Sequence, residues 1–121
     1  MAQGNVVRTF QTKDHHFDTF KNNAPNKLLV CQFSSNDSMF KDLCVSMKTT
    51  FEEVAANANF KDKAAFCELN VNGFKELAKE SGVEAYPTFV VLKGDKPMGK
   101  VGSMDEELNN LRDMIVAALK N

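Results

Sequence analysis

The sequence is marked first by what it has little of. No stretch stays apolar for the roughly 18 residues a membrane-spanning helix needs, so no helical membrane anchor is expected. Neither sign of charge dominates. Fifteen basic and sixteen acidic residues are interspersed for a net charge of −1, which excludes the basic field that nucleic acid or an anionic membrane surface would call for. The only histidines, His15 and His16, are neighbours. On a helix they would point about 100° apart, and no Cys or carboxylate cluster completes a site around them, so no metal and no cofactor are expected. Cysteine occurs three times, as Cys31, Cys44 and Cys67, an odd and widely spaced set with each member inside an apolar run. That pattern excludes a disulfide framework and fits reduced, buried thiols in a reducing compartment. Met1-Ala2-Gln3-Gly4-Asn5 lacks a charged-then-apolar targeting pattern, so a cytosolic location is expected, and the glycosylation-type triplet Asn36-Asp37-Ser38 is set aside with it.

What is present is enough apolar material for one core. A hydrophobic fraction of 43% and ten phenylalanines in 121 residues suit a single domain spanning 1–121. Val6–Phe10 reads as a short strand, and Thr12 as the N-cap of a helix to about Lys21 whose buried face carries Phe17 and Phe20. The turn cluster Asn22–Asn26 leads into Lys27–Phe33, apolar throughout after its first residue apart from Gln32, as a strand covered on both faces should be. A second helix is predicted over Ser38–Asn57, with Phe40, Leu43, Cys44, Met47, Phe51, Val54, Ala55 and Ala58 on one face.

Ala64–Val71 reads as a third strand, followed by a short helix capped by Asn72 and stopped at Gly82. Thr88–Leu92 and Met98–Val101 form a hairpin around Lys93–Pro97, with Pro97 suited to an edge strand. Ser103 to Glu106 is a capping box that opens a last helix, buried through Leu108, Leu111, Ile115, Ala118 and Leu119. The order βαβαβαββα implies an α/β fold with a central mixed sheet flanked by helices.

Two stretches carry a resemblance. Strand Lys27–Phe33, the loop Ser34–Asp37 and the helix beginning at Ser38-Met39-Phe40-Lys41 resemble the thioredoxin active-site segment, F-S-x-x-W-C-G-P-C. Counting from Phe33-Ser34, Asp37 falls at the tryptophan, Ser38 at the first cysteine, Met39-Phe40 at Gly-Pro and Lys41 at the second cysteine. Tyr86-Pro87-Thr88 matches the family's cis-proline segment, and the likeness runs from about Val6 to Leu119. It implies a thioredoxin-like fold with cis-Pro87 and a substrate groove formed here by Met39, Phe40, Tyr86, Pro87, Gly102 and Ser103.

The chemistry departs from the resemblance. Disulfide exchange needs a thiolate to attack and a second thiol to resolve the mixed disulfide. The hydroxyl of Ser38 does neither, nor does the ammonium of Lys41. Gln32 stands where the family has a buried aspartate, so five changes around one site agree on a lost dithiol. The sequence therefore predicts a redox-inactive, thioredoxin-like chain that binds a protein or peptide through the groove and has no catalytic residue, with Gln32, Asp37, Ser38 and Lys41 marking the degenerate site. The alternative is a thiol-disulfide oxidoreductase or peroxide-related enzyme using Cys31, Cys44 or Cys67, which requires at least one exposed, low-pKa thiol.

Overall fold

β-branched and aromatic side chains at Val7–Phe10 build β1, the edge of a five-stranded sheet. The structure is a computed structural model, and it describes residues 5–102 and 105–120. The chain continues through α1 (His15–Asn22), β2 (Leu28–Ser34), α2 (Lys41–Ala55), β3 (Ala65–Asn70), α3 (Lys75–Glu80), β4 (Thr88–Lys93), β5 (Lys96–Val101) and α4 (Asp105–Leu119). The strand order is β1-β3-β2-β4-β5. β1 and β2 both run parallel to β3, and β4 and β5 are antiparallel to their neighbours.

The period-two alternation of a strand sorts β2 onto two cores. Leu28 and Val30 join Phe66, Phe89 and Val91 beneath α2 and α4, where Phe51 packs 5.9 Å from Phe66 and 5.1 Å from Phe89. Leu29, Cys31 and Phe33 join Cys67, Leu69 and Val90 beneath α1 and α3, against Phe17 and Phe74. Each fully buried phenylalanine contributes about 2–3 kcal/mol by leaving water. Every residue of β2 is buried, as its near-continuous apolar run requires.

Helix ends depart from the sequence reading in several places. α1 is capped by Asp14 rather than Thr12, because its carboxylate accepts from the His16 and Phe17 amides. Lys27 lies in the left-handed region at φ 57°, so β2 starts one residue later. α2 spans Lys41–Ala55, shorter at both ends than the periodicity suggests, and Ala58 sits exposed in a separate 3₁₀ turn. Leu43 is 44% exposed and outside the core stripe. Asn72 does not cap α3. Instead Asn70 caps a 3₁₀ turn at Val71–Gly73 by accepting from the Asn72 amide, and Phe74 follows as the first flanking residue of α3. The turn lies tightly against the loop after β1, where a Cβ on Gly73 would sit 2.0 Å from the Gln11 carbonyl oxygen. Gly82 ends α3 at φ 73°, a conformation glycine adopts without strain. β5 begins at Lys96 and takes in Pro97, at the edge of the sheet beside a register shift at Val91/Leu92. The capping box lies outside the described residues at Ser103.

Candidate functional site

β2 delivers the chain to the end of the sheet at Ser34, and the loop that follows sets how α2 begins. The Ser35 hydroxyl accepts from the Asp37 amide at 3.1 Å. The Asp37 carboxylate then accepts from the Met39 amide at 3.1 Å, while its backbone carbonyl takes the amides of Phe40 and Lys41 at 2.9 Å. This closes Ser38-Met39-Phe40 into a turn and defers the helix to Lys41, three residues later than the apolar spacing implies. Ser38 and Lys41 are both exposed, and Met39 is 79% exposed.

The turn carries Phe40 onto Tyr86. Their rings meet edge-on, with centroids 5.3 Å apart at 79°, and both side chains are half-buried. Such a contact contributes about 0.5–1.5 kcal/mol beyond burial. The Tyr86–Pro87 peptide bond is cis and Pro87 is buried at the head of β4. Among the described residues no backbone hydrogen bond takes up the Tyr86 amide or carbonyl. Gly102 is exposed with open space around it, one residue past Val101, which pairs with Phe89 of β4. It therefore lies at the same end of the sheet as Pro87. Ser103 lies outside the described residues.

Beneath the turn the fourth degenerate position is occupied without a charge. Gln32 is fully buried, and its Nε2 donates to Ser34 Oγ and to the Cys44 carbonyl, each at 3.0 Å. Its Oε1 has no donor among the described residues. Ser34 Oγ donates to Glu68 Oε2 at 2.8 Å, and Lys48 of α2 closes on Glu68 Oε1 at 3.2 Å. Thr9 Oγ1 completes the network, 3.3 Å from Glu68 and 3.1 Å from Lys48. The arrangement fastens α2 to three strands. Its one carboxylate, Glu68, is taken up by Ser34, Thr9 and Lys48.

None of the three cysteines reaches this surface. Cys44 is buried on α2, and Cys31 and Cys67 are buried on the opposite face of the sheet. Their sulfurs lie 3.6 Å apart, with Cys67 donating to Cys31. Burial pushes the Cys67 thiol well above its ordinary range, and Cys31 and Glu68 add to the effect. A thiol held protonated is the opposite of the activated thiolate that exchange requires.

Sequence reading missed two groupings, the Gln32–Ser34–Glu68–Lys48 network and the Cys31–Cys67 contact. Both follow from the β2–β3 register, which sets Cys31 against Cys67 and Gln32 against Glu68. The sequence alone does not fix that register, and Lys48 joins from α2.

A sequence profile of the thioredoxin family matches residues 8–117. The chain is 33% identical over 114 residues to thioredoxin H2-2 of Oryza sativa subsp. japonica, covering 93% of this chain and 80% of the rice protein. Its fold is similar to that of the thioredoxin of Malassezia sympodialis, with a TM-score of 0.73 at 21% identity over 98% of this chain and 96% of that one. It is also similar to thioredoxin F from spinach chloroplast, with a TM-score of 0.71 at 26% identity, covering 98% of this chain and 97% of that one.

Proposed function

This chain belongs to the thioredoxin family, and with Ser38 and Lys41 where the family's two cysteines would stand, we propose that it binds an extended segment of a partner protein without carrying out disulfide exchange on it. The Phe40–Tyr86 pair carries this reading. Two half-buried aromatic rings in edge contact, with exposed Met39 next to Phe40 in the chain, lie beside the Ser38 and Lys41 positions. Aromatic and methionine side chains of this kind are enriched at recognition surfaces. The free backbone groups of Tyr86 suit a partner that docks as an added strand, with affinity from main-chain hydrogen bonds and selectivity from the pockets beside them. The alternative, thiol chemistry on a protein substrate, draws less support because all three cysteines are buried. Reduced thiols suit a reducing compartment, and the cytosol is the reading that agrees with them.

The test is affinity capture with the wild type beside a Phe40→Ala/Tyr86→Ala variant. Partners enriched by the wild type are expected to be lost from the variant, and each single substitution is expected to weaken an isolated partner by about 1–3 kcal/mol. Partners retained equally by the double variant would overturn the reading, as would insulin reduction by the wild-type chain at an ordinary thioredoxin rate.

A further inference from the structure

Cys31 and Cys67 are directly opposed on neighbouring parallel strands, with their sulfurs already in contact at 3.6 Å. We propose that this pair is a reversible disulfide site, closed by a hydroperoxide-class oxidant and separate from the groove. Neighbouring strands run about 4.8 Å apart, inside the Cα separation of roughly 4.4–6.8 Å that a disulfide accepts. The sulfurs need to approach to about 2.05 Å. Rotation of two small side chains supplies much of that, with no change of register.

The third thiol does not compete. Gln32 follows Cys31 on the strand and points to the other face, where it reaches the Cys44 carbonyl, so Cys44 lies across the sheet from the pair.

The contact places the two sulfurs for both steps. The Cys31 sulfur attacks the terminal peroxide oxygen, the O–O bond breaks, and the leaving alkoxide takes the Cys31 thiol proton as alcohol (water, for hydrogen peroxide). Cys67 then attacks the resulting sulfenic acid at sulfur, the S–O bond breaks, and the hydroxyl departs with the Cys67 proton as water. Two thiols and one hydroperoxide become one disulfide, one alcohol and one water.

Full burial of both residues makes an opening of the α1 and α3 face the gate. Those helices are short, eight and six residues. A cavity of about 530 Å³ beside them is lined by Phe17, Phe74 and Leu92, all members of the apolar cluster that holds the pair. A small oxidant passes such a gate and a protein disulfide does not. The site is therefore stoichiometric, and it stands or falls independently of the groove.

The test treats the full chain with hydrogen peroxide, alkylates aliquots, digests them without reduction and maps the thiols by mass. Free thiols are expected to fall from three to one. Cys44 should remain alkylated, a Cys31–Cys67 linked peptide should appear, and dithiothreitol should restore all three. Sub-denaturing urea should speed the closure by about tenfold or more, because it populates the opening. A Cys44→Ser variant should form the same link, and Cys67→Ser should not. Three thiols surviving with and without urea would overturn the proposal, as would links through Cys44 or between chains, sulfinic acid in place of a link, a link that dithiothreitol leaves intact, or one confined to urea that unfolds the chain.

Discussion

Cys31 and Gln32 are consecutive on β2, yet their side chains enter opposite faces of the sheet and different chemistry. The Gln32 face packs against α2 and is wired with hydrogen bonds, through Ser34 to Glu68 and on to Lys48 of α2. The Cys31 face is dry in the sense that its cluster is apolar, and among the described residues the Cys31 side chain has its polar contact with the sulfur of Cys67. On the two proposals above, the groove offers a partner shape and backbone groups with no thiol among its described residues, while Cys31 and Cys67 offer each other a redox partner but no surface. Access and chemistry, joined at one helix N-terminus in a working dithiol site, are separated here by the thickness of a strand.

The comparison breaks most visibly if a charge is placed on the wired face. Gln32→Asp would set a buried carboxylate against Glu68, its register partner, with Ser34 between them. Two like charges in one buried site raise the pKa of one of them. A raised carboxyl pKa means the folded state prefers the protonated form, so the penalty grows as pH rises above the ordinary carboxylate range of about 4. Urea unfolding should show a loss of about 3 kcal/mol at pH 7 and a smaller one at pH 5. Equal losses at the two pH values would mean that Glu68 does not set the field there.

Next in size is the return of chemistry to the groove. Ser38→Cys with Lys41→Cys restores an exposed thiol at the start of α2, where the helix dipole favours a thiolate. Insulin reduction should rise about 100-fold over the wild type, or about 2.7 kcal/mol of barrier. Adding Gln32→Asp should raise it a few-fold more by supplying a proton acceptor, provided the fold absorbs the charge. A wild-type rate equal to that of the double variant would erase the distinction between the two regions.

How far these regions were legible in the sequence follows from the range of the interactions that build them. The element order and the strand–loop–helix frame were legible, because apolar runs and turn residues act within a few positions. Gln32, Ser38 and Lys41 could be read off the same frame. The late start of α2 was not, since it depends on Asp37 turning its carboxylate to the Met39 amide rather than opening the helix at once. Leu43 was misjudged because spacing alone cannot say which flank of a helix another element covers. The Cys31–Cys67 and Lys48–Glu68 contacts were invisible for a stronger reason. They join residues far apart in sequence, and only strand register brings them together.

The dry face gives a smaller signal. Cys67→Ala removes a buried sulfur and should cost about 1–2 kcal/mol, at the low end for a core truncation. It should also change the alkaline limb of stability. Burial holds the folded Cys67 thiol well above its ordinary value of 9.0. The preference for the protonated thiol is therefore fully present below that value and is lost as pH rises beyond it, by up to about 1.4 kcal/mol per unit until the folded thiol ionises. Wild-type stability should fall more steeply than that of the variant above this value. Parallel curves would show that the pair ionises as freely as exposed thiols do.

The smallest effect concerns the cover over the dry face. Lys21 of α1 reaches Asp95 in the β4–β5 turn at 2.5 Å, and both line the cavity beside the cysteine cluster. The hydrogen bond and charge of Lys21 hold the Asp95 carboxyl below its ordinary range. A depressed carboxyl pKa stabilises the fold above the ordinary carboxylate value, and this contribution is lost as pH falls through the folded one. Asp95 is almost wholly exposed, so solvent screening limits the pair to a few tenths of a kcal/mol. Asp95→Asn should leave global stability nearly unchanged at pH 7 and flatten the acid limb slightly below pH 4. Its more telling readout is the rate at which peroxide links Cys31 to Cys67. If the Lys21–Asp95 latch helps keep α1 seated, the variant should close the disulfide about twofold faster, the kinetic equivalent of those tenths in the opening equilibrium. Lys48→Ala, which loosens α2 on the Gln32 face, should leave that rate unchanged. Acceleration by Lys48→Ala and none by Asp95→Asn would place the gate under α2 instead, and the two faces would then not be independent.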